Sequence, residues 1–152
     1  MIRTIKIFGI IIFILGLILV RRYESSLFYD PFLEFFKKSN FNHLSPPNFH
    51  TIRLFISLSL RYSLNLILSL LIIYLWFGDK KISVFSFYIF TIGFAIFCAL
   101  YFVSICTNFS LGYMPTFYIR RILIQPIFLL ILIPAIYYHK HLKKTNSPNY
   151  SR

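Results

Sequence analysis

Acidic side chains are nearly missing from this 152-residue chain: four Asp and Glu stand against sixteen Lys and Arg. There are two cysteines, Cys98 and Cys106, both inside one apolar run, which argues against a disulfide framework and a zinc site. No histidine lies in any apolar run, because His43, His50, His139 and His141 fall in a loop or in the tail. A cysteine nucleophile therefore has no imidazole base within reach. Only five glycines are present, with no Gly-rich phosphate loop, no HExxH and no nucleophile elbow. No cofactor is expected.

What fills the chain instead is apolar: 58% hydrophobic, 20% aromatic and 13% charged residues, with a mean hydropathy of +0.73. Such a composition excludes a soluble domain and makes the bilayer the solvent. The formal charge of +12 would suggest a nucleic-acid partner in a soluble protein. Here the cations come as pairs at the ends of apolar runs, at Arg21-Arg22, Lys37-Lys38, Lys80-Lys81, Arg120-Arg121 and Lys143-Lys144. That is the placement of interfacial anchors against anionic headgroups, and no nucleic-acid partner is expected.

The expected fold class is an all-α integral membrane protein, a single membrane domain over 1–152. Four transmembrane helices at about 5–20, 54–77, 82–107 and 122–138 form an antiparallel bundle, with a first loop over 21–53 and a basic tail over 139–152. The first run ends directly in Arg21-Arg22 without a small-residue cleavage site, so an uncleaved span is expected in preference to a signal peptide. Gly9 and Gly16, seven apart, share a face suited to close helix packing. Gly78-Asp79-Lys80-Lys81 reads as the turn between the second and third spans, and 108–121 as the link to the fourth. Counting Lys and Arg by side gives eight against eight; the unopposed basic tail tips the expectation toward both termini in the cytoplasm.

The first loop holds three of the four acids, Glu24, Asp30 and Glu34, interleaved with Phe28, Tyr29, Phe32 and Phe35. Asp30 reads as an N-cap and Pro31 as the first position of a short helix over 31–38, with Phe32, Leu33, Phe35 and Phe36 as a broad apolar surface lying in the membrane interface. Ser39 onward to position 48 reads as irregular chain. Asp30 and Glu34, four apart, could form an acid–base pair, but capping and anchoring explain them with less.

Arg61 and Asn65 share one face of the second span. Two readings stand: Arg61 points into the bundle toward an acid such as Glu24 or Asp30, or it snorkels to the interface. Arg120-Arg121 with Gln125 and Pro126 opens the last run, and Pro134 interrupts it; prolines can free carbonyls to line a site, or simply kink the helix. Ser59-xxx-Ser63 and Ala95-xxx-Ala99 are small-residue pairs at which helices can approach, within this chain or between chains.

Three segments together carry a family resemblance: Arg22-Tyr23-Glu24 with Leu27-Phe28-Tyr29-Asp30-Pro31-Phe32 and Phe35-Phe36; RYSLN at 61–65; and YIRRILIQP at 118–126, continuing to Pro134-Ala135-Ile136-Tyr137-Tyr138. In these and in span order the chain resembles the exosortase F system-associated membrane proteins of flavobacteria. The resemblance implies a multi-pass protein of the bacterial cytoplasmic membrane, partnered by exosortase F or its substrates. The exosortases' own Cys, Arg and His set has no counterpart here, so the resemblance implies an accessory and not the transpeptidase. Candidate interaction residues are Arg22, Glu24, Phe28, Tyr29, Asp30, Pro31, Phe32, Arg61, Asn65, Arg120, Arg121, Gln125 and Pro126. The alternatives are a bilayer enzyme using Arg61, Asp30 and Arg120 or Arg121 on a lipid-linked or peptide substrate, and a small transporter.

Overall fold

The computed structural model describes residues 2–36, 47–107, 109 and 112–145, and among them every regular element is a helix. In chain order these are α1 (Ile2–Arg22), α2 (Glu24–Leu27), α3 (Phe32–Phe35), α4 (Thr51–Phe77), α5 (Lys80–Cys106), α6 (Tyr113–Ile124) and α7 (Ile127–Thr145). Three of them, α1, α4 and α5, are long and apolar enough to cross a membrane, and α6 with α7 makes a fourth if the bent pair counts as one span. Large apolar side chains stand exposed along α1, α4, α5 and α7. That arrangement is compatible with hydrocarbon as the surrounding solvent and unfavourable in water. The expected positions 37–38 and 39–46, His43, Asn108 and the tail over 146–152 lie outside the described residues, as do the side chains of His141, Lys143 and Lys144.

Helix α4 is the hub, with α1, α5, α6 and α7 all packed on it, and α5 also carries α6 and α7. The α4–α5 reversal needs only two residues. Gly78 takes a left-handed conformation (φ 65°) and returns its N–H to the Tyr74 carbonyl at 2.9 Å. Asp79 then caps α5 by accepting from the Lys81 N–H at 2.9 Å, so both lysines fall inside the helix and not in the turn. The glycines of α1 do face α4: a Cβ added at Gly9 would come within 2.9 Å of Leu75, and one at Gly16 within 3.4 Å of Leu68. On α5 the close approach is at Gly93, where an added Cβ would lie 2.4 Å from the Phe128 ring. Ala95 and Ala99 are on the exposed side of α5.

Two regions depart from the expected fold. The stretch over 113–121 is helix and not a link, and the last apolar run is not one straight span: α6 and α7 meet at a 63° bend. The cause is Pro126, whose ring drives Gln125 out of the helical region (φ −93°, ψ 146°) and which has no N–H to continue the ladder. Pro134, by contrast, sits inside α7 without ending it.

The second region is the first loop. Residues 32–35 form a single helical turn, but Phe32, Leu33, Phe35 and Phe36 are buried and do not present an outward apolar surface. Phe32 packs 5.0 Å from the Phe49 ring and 5.7 Å from Phe109, Phe35 lies 5.6 Å from Tyr113, and Phe36 5.4 Å from Phe117. Aromatic partners on α6 and the segments flanking α4 and α5 offer these rings edge and tilted contacts in addition to apolar burial. The result is one aromatic core with Leu54, Leu58, Tyr101, Ile105, Leu123 and Ile124. A second core, around Tyr62, Ile72, Ile73, Phe90, Leu129 and Leu132, fills the part of the molecule nearer the Gly78 turn.

Candidate functional site

Helix α1 breaks after Arg22, and the one-turn α2 that follows turns the Glu24 side chain inward, where it is buried. The next residues are pinned along α4. The Tyr29 N–H donates to Ser57 Oγ at 3.2 Å, and the Arg53 guanidinium lies 4.6 Å from the centre of the Tyr29 ring. That fixes Asp30 over the middle of the site. Asp30 does not cap α3, because Pro31 occupies the cap position and no side-chain cap bond forms. The physical reason is competition: two buried guanidinium groups hold the carboxylate more strongly than a backbone N–H would, and the Leu33 N–H is already taken by the Asp30 carbonyl at 3.1 Å.

Arg61 donates from Nη2 to Glu24 Oε2, and its Nη1 lies 3.7 Å from Asp30 Oδ2. Arg120 donates to the same Asp30 oxygen. Arg21, three residues before Glu24, approaches it at 3.3 Å. The five side chains make an alternating row, Arg21–Glu24–Arg61–Asp30–Arg120, drawn from α1, α2, the 28–31 segment, α4 and α6. Arg61 is 2% exposed, Asp30 and Arg120 7% each, while Arg21 at 54% opens to the outside. Phe28 and Phe36 flank the row, with Arg61 and Arg120 each 5.9 Å from the respective ring centre. Ions so buried are expensive to desolvate, and removing one partner strands the other, at roughly 3–5 kcal/mol.

The row is not saturated. Asp30 Oδ1, Arg61 Nε and Nη1, Arg120 Nε and the Tyr101 hydroxyl are buried without a hydrogen-bond partner among the described residues. These four residues line one small cavity of about 10 Å³, against Leu54, Ser57 and Leu58.

Below the row, Asn65 donates from Nδ2 to the Ile124 carbonyl at 2.8 Å. In an uninterrupted helix that carbonyl would accept from the amide four residues on, so the Pro126 break frees it and α4 takes it up. Arg121 donates to Gln125 Oε1 at 3.3 Å on the exposed side of α6. Two recesses flank the row. A polar one of about 180 Å³ is bounded by Arg21, Glu24, Arg120, Arg121 and Gln125 with four apolar neighbours. A groove of about 350 Å³ runs between α1 and α7 over α4, with Ile14, Leu17, Ile18, Ile127 and Leu130 as walls and Arg21, Arg61, Asn65 and Gln125 at its polar end. The two recesses share Arg21, Ile124 and Gln125.

Of the residues singled out in the sequence, Glu24, Phe28, Tyr29, Asp30, Arg61 and Arg120 are brought together, with Asn65, Arg121, Gln125 and Pro126 directly beside them. Phe32 belongs to the aromatic core, Pro31 stands at the cap of α3, and Arg22 is exposed at the end of α1 and makes none of the row's ion pairs. Sequence reasoning took Arg21 only as an interfacial anchor and missed Arg53 and Tyr101. The one local signal was the three-residue spacing of Arg21 and Glu24 across the helix end. Cys98 packs half-buried against the aromatic core. The chain matches no protein-family model, no curated protein and no solved structure.

Proposed function

We propose that this chain is a non-catalytic, four-span protein of the bacterial cytoplasmic membrane, with both termini in the cytoplasm, and that it is an assembly partner of an exosortase-type protein-sorting system. The observation that carries the reading is convergence. The three segments that resemble the exosortase F system-associated proteins are far apart in the chain, yet Glu24 and Asp30 of the first, Arg61 of the second and Arg120 of the third meet in one ionic row. A resemblance spread over three segments is what one site folded from all three would leave in a sequence. Glu24 and Asp30 are engaged as counterions to arginines, and Glu34 is exposed outside the row, which favours a scaffold over a catalyst.

The working surface in this reading is the exposed side of the row and the apolar helix faces around it, not the buried phenylalanines of the first loop. Reversing the charge of Glu24 or Asp30 therefore tests folding and not docking. The direct test is recovery of a tagged chain, at natural abundance and in mild detergent, with its bound proteins identified by mass spectrometry. Stoichiometric recovery of an exosortase is the expected result. Recovery without it, together with normal processing of sorting substrates in a strain lacking this chain, would overturn the reading.

A further inference from the structure

The two recesses beside the ionic row have complementary characters. One is polar and flanked by guanidinium groups; the other is a long apolar groove open between α1 and α7. They join at Arg21 and Gln125, so an amphiphile lying in the groove would bring its head to the arginines. Charge identifies the head. Arg21, Arg61, Arg120 and Arg121 bring four positive charges to this corner, and Glu24 and Asp30 offset two of them. Two positive charges remain, and they belong to the outer members: Arg21 shares a carboxylate already engaged by Arg61, and Arg121 bonds only the neutral Gln125 side chain among the hydrogen bonds seen. A phosphate monoester carries about −1.5 to −2 charges at neutral pH and suits the planar guanidinium fork. A phosphodiester supplies one charge and leaves the corner half-neutralised.

We infer that the α1–α7 groove is a lateral lipid-binding site that holds the acyl or isoprenoid tail of a lipid phosphate monoester, with the phosphate between Arg21, Arg121 and Gln125. Ile18 and Leu130, both more than half exposed at the groove's mouth, border the tail. The lipid enters sideways from the bilayer, because the groove opens between two helices and not at the end of the molecule. The site lies on the surface that the sorting reading uses, but it requires no protein partner, and its failure would leave that reading untouched.

The test uses the full chain purified in detergent, with native mass spectrometry counting bound dioleoyl phosphatidic acid against dioleoyl phosphatidylglycerol and phosphatidylcholine. The expected order is phosphatidic acid well above phosphatidylglycerol, with phosphatidylcholine weakest. Binding of phosphatidic acid should fall as pH drops through about 6, where the monoester loses its second charge. Arg121→Gln, at an exposed position, should weaken binding about tenfold, the loss of one charge-assisted bond. Leu130→Trp should fill the groove's mouth and lower binding without changing charge. Lys80→Gln with Lys81→Gln, at the far end of α5, should leave it unchanged. Equal binding of phosphatidic acid and phosphatidylglycerol, insensitivity to both Arg121→Gln and Leu130→Trp, or an equal loss in the lysine variant would each overturn the assignment. So would displacement of phosphatidic acid by an apolar peptide bearing only a C-terminal carboxylate while a competing lipid phosphate has no effect.

Discussion

Near the Gly78 turn, α4, α5 and α7 meet through Ile72, Ile73, Phe90, Leu129 and Leu132, with the Tyr62 hydroxyl donating to the Phe90 carbonyl at 2.6 Å and Gly93 admitting the Phe128 ring. At the opposite end the helices meet through charges and aromatic rings, with two carboxylates and two guanidinium groups buried among Phe28, Phe36 and Tyr101. The first end is what apolar helices do by default, through fit and close approach. The second is costly to build, since each ion must be stripped of water and repaid by its neighbours. A chain with only four acids places two of them there, and ionisable groups buried between membrane helices are by default candidates for function.

Several substitutions separate the two ends, and their effects should fall in a definite order. Arg61→Leu leaves Glu24 without its buried cation and Asp30 with one fewer, and should destabilise the protein by roughly 3–5 kcal/mol, read from unfolding in mixed detergent–SDS micelles. Gly93→Val attacks the other end by forcing a side chain into the Phe128 ring; the expected cost is roughly 1–3 kcal/mol in the same titration, with the ionic end intact. Asn65→Leu removes the donor to the Ile124 carbonyl at the α6–α7 break, for about 1 kcal/mol and a change in the bend measurable between spin labels on α6 and α7. Glu34→Gln should change stability by less than about 0.5 kcal/mol, because this acid, unlike Glu24 and Asp30, is exposed and outside the row. A large effect at Glu34 would blur the distinction between the loop's acids.

How much of this was legible in the sequence follows the same division. The apolar runs gave α1, α4 and α5 to within a few residues at each end, and the Gly78-Asp79 reversal and the Gly9–Gly16 face followed from local rules of capping and spacing. Local rules also suggested the wrong job for Asp30: an Asp-Pro step reads as a helix cap, and only the arrival of Arg120 from ninety residues away takes the carboxylate elsewhere. Arg61 was open between an inward and a snorkelling position, because hydropathy says where a helix lies and not which residues of a distant loop fold over it. The burial of Phe32, Phe35 and Phe36 has the same origin: their apolar character was plain, but the choice between lipid and protein as the covering depends on Phe109, Tyr113 and Phe117, which no short-range pattern connects to them. The α6–α7 break was half legible, since Pro126 announced a freed carbonyl but not that Asn65 would take it.

The central claim is that the row acts as one coupled unit tying the first loop to α4 and α6, and a double-mutant cycle on Asp30→Asn and Arg120→Gln tests it most directly. Unfolding free energies of the two single variants and the double variant should be strongly non-additive, with the double variant less damaged than the sum by about 1–3 kcal/mol, since each single change strands a buried partner that the double change removes. Additivity to within about 0.5 kcal/mol would mean that the two side chains act independently, and would contradict the account.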